Sequence, residues 1–181
     1  MSFEKLKFRL RAKGRHGTHS PFVYAFVERV LRSKEIFANK PENISAKSWQ
    51  CLNAALKYLA VEEILFSEGF SNEIIAALSK NLPDIKMTVF SAGAIPVASD
   101  SLLLLCSDDR IMIENLLKNS LPPVHGRFSV YVLAPHRDEQ TFEQMFCLKN
   151  NAAFKMVLDF WQGLLLVNSN DFKEKQFFEL R

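Results

Sequence analysis

The sequence predicts an open α/β sheet with helices on both faces, preceded by a helical segment and closed by an antiparallel tail. Three observations carry this reading. The runs "DSLLLLCS" and "RFSVYVLAP" are continuously apolar, as strands covered on both faces must be. Strand-like and helix-like patterns alternate through the middle of the chain. Near the C-terminus, "AFKMVLDF", "GLLLVN" and "QFFELR" follow one another across short links at Gln162-Gly163 and Ser169-Asn170-Asp171, which favours antiparallel pairing.

Each element has its own local reason. "KLKFRLRAKGR" alternates charge and apolarity as a strand would, yet its flanks offer it no partner. Ser20 is a good N-cap and Pro21 suits the first helical position. Phe22, Val23, Phe26, Val27, Val30 and Leu31 then repeat at helical spacing, with an end near Lys34. After the loop "ANKPENIS", Ser45 can cap a second helix with Trp49, Leu52, Leu56 and Leu59 on one face. "EEILFSEGFSNEIIAALSKNLP" reads as a strand, a turn at Gly69, and a helix with Ile74, Ile75 and Leu78 inward that stops before Pro83. "KMTVFSA" is the second strand and "DSLLLLCS" the third. Ser107 is expected to cap the next helix, with Asp108 and Asp109 at its positive end and Ile113, Leu116 and Leu117 facing in. "RFSVYVLAP" is the fourth strand, followed by a helix around Phe142, Met145 and Phe146. The simplest partition is a basic arm and helical extension over residues 1–60 and an α/β domain over 61–181, packed as one compact unit.

With 181 residues, 48% of them hydrophobic and 24% charged, the chain can bury a real core. No apolar run approaches the roughly 20 residues of a membrane span, and the N-terminus is basic where a signal peptide would be apolar, so a cytoplasmic location is expected. Cys51, Cys106 and Cys147 stand far apart and read as small buried hydrophobes. The overall charge of +3 is uneven. Nine basic side chains against Glu4 and Glu28 give residues 1–34 a net +7, which leaves the rest at −4. Such an arm can grip nucleic acid or an anionic surface, but more often it is solvated or pairs with acids on its own body or a twin subunit.

The stretch "KGRHGTHSPFVYAFV" carries two of the four histidines and two of the six glycines. His16 and His19 have a spacing that metals use on helices, but Gly17 lies between them and no cysteine or carboxylate completes a set, so no metal site is expected. A phosphate cradle from Arg15, Gly17 and the Ser20 cap is a second reading. The favoured one is a docking hinge or lid: His16, Gly17, His19 and Ser20 turn the chain and launch the helix at a fixed angle.

The run "RHGTHSPFVYAFV" resembles the N-terminal signature of a group of bacterial class I S-adenosylmethionine-dependent methyltransferases, common in Bacteroidetes. In that group a His-Gly-x-His-Ser-Pro-Phe-Val motif precedes a Rossmann-like domain. "GFSNEIIAAL" is similar to the turn and helix after the family's first strand, and "SVYVLAP" stands where its fifth would be. "VLDFWQGLLLV" and "KQFFELR" look like its closing antiparallel strands. The resemblance implies a Rossmann-like methyltransferase-type sheet, mostly parallel with antiparallel C-terminal strands. It also implies cofactor positions at Gly69, Glu68, Ser71 and Ser91.

Departures from that pattern decide the functional expectation. The first turn has one glycine, Gly69, where the family has two or three. Ser91 stands where an acid would hold the ribose hydroxyls; two charge-assisted hydrogen bonds at about 1.5–3 kcal/mol each would be missing. Between "MTVF" and "DSLLLL" lie about ten residues, too few for the helix, outer strand and helix that the family places there, so one outer strand is expected to be missing. Asp108 and His136 are the remaining catalytic candidates. The first could be a remnant of an acidic motif, although its place at a helix start is reason enough for it. The second could act as a general base at a strand's carboxyl end, beside Arg137 and Asp138, but a solvent-exposed loop histidine is the favoured reading. The favoured reading is therefore a degenerate methyltransferase-like scaffold that binds a small molecule or protein without a cofactor. The alternatives are a divergent methyltransferase that uses S-adenosylmethionine, with Glu68 supplying the ribose contact, and a nucleic-acid or anionic-surface module working through the basic arm. Self-association stays open.

Overall fold

The computed structural model describes residues 20–91, 99–107, 109–118, 126–136 and 139–180. His16, Gly17 and His19 of the expected hinge lie outside them, as do the basic arm, Asp108, Arg137 and Asp138.

Pro21 opens α1 (Pro21–Phe26), which continues as a π-helical turn over Val27–Leu31. The Arg32 N–H reaches the Val27 carbonyl at 3.0 Å, and the segment ends there, short of Lys34. Ser20 occupies the cap position with extended backbone, but its side chain makes no cap hydrogen bond. Ser45 does cap: its Oγ accepts from the Ser48 N–H at 3.0 Å and starts α2 (Ala46–Leu59). The four apolar residues expected on one face of α2 are all buried.

There follow β1 (Glu63–Ser67), α3 (Asn72–Asn81), β2 (Lys86–Phe90), β3 (Ser101–Cys106), α4 (Arg110–Lys118), β4 (Arg127–Leu133), α5 (Glu139–Asn150), β5 (Met156–Phe160), β6 (Gly163–Ser169) and β7 (Gln176–Leu180). They form one seven-stranded sheet in the order β2-β1-β3-β4-β6-β5-β7. β1 pairs in parallel with β2 and β3, and β3 with β4, while β6 runs antiparallel to both β4 and β5.

The tail corrects one expectation. β7 is not antiparallel: it pairs in parallel with β5. A short link from β6 would normally return along β6, but both of its edges are already taken, by β4 and β5. The chain from Asn170 to Lys175 instead passes β5 and lands on its free edge, two strand spacings or about 10 Å away, well within the reach of six residues.

Sheet alternation sorts the core into two layers. Phe66, Leu104, Tyr131, Leu158 and Leu165 point toward α1, α2 and α3, and Leu65, Leu103, Val130, Val157 and Leu166 toward α4 and α5. This two-sided burial explains why β3, β4 and β6 read as continuous apolar runs. The outer strand β2 is half-exposed, with Val89 open to solvent.

Two smaller expectations also change. α4 begins at Arg110, so Ser107 is not its cap; the Asp109 carbonyl accepts from the Ile113 N–H at 3.1 Å. Cys51 is buried and Cys106 half-buried, but Cys147 is exposed. It shares the outer side of α5 with exposed Phe146, because Met145 and Leu148 take the inner side. Among the described residues, no helix is long and apolar enough to cross a membrane.

Candidate functional site

Open α/β sheets offer ligands the carboxyl ends of their parallel strands, above all where the chain leaves a central pair in opposite directions. Here that pair is β1 and β3, since β2 lies outside β1 and β4 outside β3. Ser67, at the end of β1, is nearly buried, and its Oγ donates to Asp109 Oδ2 at 2.7 Å. The two strand ends are thus tied directly to each other by a serine and a carboxylate.

The turn after β1 is closed by the Phe70 N–H on the Ser67 carbonyl at 2.9 Å. Phe70 is buried against Phe66, ring centroids 5.1 Å apart, which turns Glu68 and Gly69 outward. A Cβ added at Gly69 would meet nothing within 4 Å, and its backbone is not left-handed. Neither protein packing nor backbone geometry demands glycine there. Ser71 caps α3 through its carbonyl, which accepts from Ile74 and Ile75, and not through its side chain. Ser91 is exposed just beyond the outer strand β2. Gly69, Glu68 and Ser71 therefore share one turn, whereas Ser91 belongs to a separate strand end. No metal-ligating cluster of His, Cys, Asp and Glu occurs among the described residues.

His136 lies elsewhere on the same edge, beyond β4. Its Nε2 is 2.7 Å from Oδ1 of Asp159, a β5 residue with no exposed surface. The other carboxylate oxygen of Asp159 takes a hydrogen bond from the Lys149 ammonium of α5. Burial by itself pushes the Asp159 carboxyl up, but the His136 and Lys149 contacts outweigh it and hold the group below its ordinary range. Trp161 stacks on the imidazole, ring centroids 5.0 Å apart and 8° from parallel. The histidine side chain is only 10% exposed, which corrects the expectation of a solvent-exposed loop residue: Asp159 and Trp161 draw it against the sheet.

That histidine also lines a cavity of about 320 Å³ whose opposite wall is the first turn of α2, with Ser45, Lys47 and Ser48. Trp161, Gln162 and Ala134 complete it. Ala134 takes a left-handed backbone, φ 49°, uncommon for a residue with a Cβ, and directs the chain from β4 toward His136.

No protein-family model and no curated protein matches the chain.

Of the sequence candidates, then, His136 is drawn into a cluster, but with Asp159, Lys149 and Trp161, which sequence reasoning did not single out. One signal was available. Asp159 is the one charged residue inside the apolar run "MVLDF", and an acid in a strand covered on both faces must have a partner.

Proposed function

We propose that this chain is a methyltransferase-like scaffold of Rossmann-like type that binds a ligand or partner without using S-adenosylmethionine. The observation that carries the reading is at the end of β2. The strand finishes at Phe90 and Ser91 follows it, with no carboxylate to accept the two ribose hydroxyls, and β2 is itself the outer strand. The Ser67–Asp109 hydrogen bond supports the same reading, because it engages the carboxylate that follows β3 with the protein's own serine. The sheet order agrees with a methyltransferase-type sheet that has shed the strand outside β2 and added β7 at the opposite edge.

Calorimetric titration with S-adenosylmethionine and S-adenosylhomocysteine tests it. The expected result is no saturable heat and no change in melting temperature; binding in the micromolar range overturns the reading.

One observation favours the divergent active methyltransferase instead: the open space around Gly69, with Glu68 exposed beside it. In that case a roughly 100-fold excess of ligand over its dissociation constant should stabilise the fold by about 2.7 kcal/mol. The same titration separates the two readings.

A further inference from the structure

We propose that the cavity between His136 and the first turn of α2 is a binding site for a small molecule bearing a carboxylate or phosphate group. This deepens the scaffold reading by giving the ligand a place, away from the strand ends where S-adenosylmethionine would sit.

Three independent features converge on it. The first is space: about 320 Å³ is at the lower end of the range that small-molecule sites occupy. The second is the cost of the side chains behind it. A carboxylate with no exposed surface, a nearly buried lysine and a nearly buried histidine stand where apolar packing would do at least as well for stability. The outcome of this cluster is one imidazole, fixed by Asp159 at Nε2 and by Trp161 across its face, presented at the cavity wall. Rigid placement of a polar group in a concavity is what recognition of a specific ligand requires.

The third feature is the sign of the charge. Asp159 is already matched by Lys149 and His136, so the acid behind the wall projects no unmatched negative charge. Opposite, α2 has no acidic residue in its first turn and carries Lys47 there, a cation at the positive end of the helix. The Lys47 ammonium is anchored on the Leu31 carbonyl at 2.6 Å. Of the residues of this turn that line the cavity, Lys47 has a backbone N–H with no hydrogen-bond acceptor among the described residues, while that of Ser48 is spent on the Ser45 cap. A carboxylate or phosphate oxygen in the cavity would take that donor and offset the positive charge of the helix start and of Lys47.

Nitrogen-15 labelled full-length protein tests this by amide and indole shifts, titrated separately with inorganic phosphate, malonate, S-adenosylhomocysteine, and sodium chloride at matched ionic strength. Phosphate or malonate should give saturable shifts at the Lys47 and Ser48 amides and the Trp161 indole, with Gly69 and Ser91 unmoved. A response to phosphate alone assigns a phosphate-bearing ligand, and a response to malonate alone a carboxylate-bearing one. No saturable shift from either, or the same shifts from chloride, overturns the inference. His136→Gln should weaken binding about tenfold or more, because it removes the imidazole that Asp159 and Trp161 hold at the cavity wall. Ser48→Glu decides if that variant fails to fold: it sets up a capping box with Ser45, which favours the helix, and its tethered carboxylate should abolish anion binding. Unchanged binding in a folded variant of either kind sinks the proposal. Shifts at Gly69 and Ser91 with S-adenosylhomocysteine would overturn the proposed function while leaving the anion site standing.

Discussion

Asp159 divides its two carboxylate oxygens between His136, 2.7 Å away through Nε2, and the Lys149 ammonium, and so joins the loop after β4 to α5 at a point without solvent access. The arrangement is costly to assemble and costlier to break. Removing one partner from a buried ion pair leaves the other charge uncompensated, at about 3–5 kcal/mol.

Asp159→Asn should therefore destabilise the protein by about that amount at neutral pH. Its dependence on acid has a definite sign. The folded-state carboxyl lies below its ordinary range, so its stabilising contribution is present above the unfolded pKa, near 3.9, and is lost as pH falls through the folded value. The gap between wild type and Asp159→Asn should narrow on acidification below about pH 4. Urea denaturation across that interval checks it, and a pH-independent gap would contradict the assignment.

Gly163 faces Tyr131 so closely that a Cβ would lie 2.5 Å from the phenol oxygen and 2.7 Å from Cζ. Tyr131 is fully buried in a packed layer and cannot swing aside. Gly163→Ala should cost about 1–3 kcal/mol by overpacking. Combining it with Tyr131→Phe should recover only part of that loss, since the ring carbon contacts remain. Thermal melts of the two single variants and the double variant provide the measurement.

The Tyr131 hydroxyl is buried without a hydrogen-bond partner among the described residues, and burial pushes its pKa well above the ordinary phenol value. Tyr131→Phe alone removes an unsatisfied polar atom and little else. It should leave stability unchanged or raise it by about 1 kcal/mol. A substantial loss in denaturant titration would reveal a partner for the hydroxyl.

Ser45 and Ser20 occupy equivalent sequence positions before their helices, but only Ser45 makes a side-chain cap. Ser45→Ala should cost about 1 kcal/mol, and Ser20→Ala less than about 0.5 kcal/mol. Equal losses in chemical denaturation would show that sequence position, rather than the observed hydrogen bond, sets the effect.

Much of the architecture follows from local pattern alone. The continuous apolarity of "SLLLLC" and "RFSVYVL" dictates strands covered on both faces, and the two core layers repeat their alternation residue by residue. Pro21 and Ser45 mark helix starts because their effects reach only a turn away. The sequence also placed His136 after a strand end, where an α/β sheet exposes its sites.

Tertiary structure decided what depends on which edges and neighbours remain free. The direction of β7 was set by the occupied edges of β6, a fact no window of the chain contains. Likewise, His136 acquires its character from Asp159, Lys149 and Trp161, residues 13 to 25 positions away that share one edge of the sheet only once β4, β5 and α5 have packed. Local periodicity specifies which face of an element is buried; it carries no information about what stands on the other side of the contact, and a site is made of such contacts.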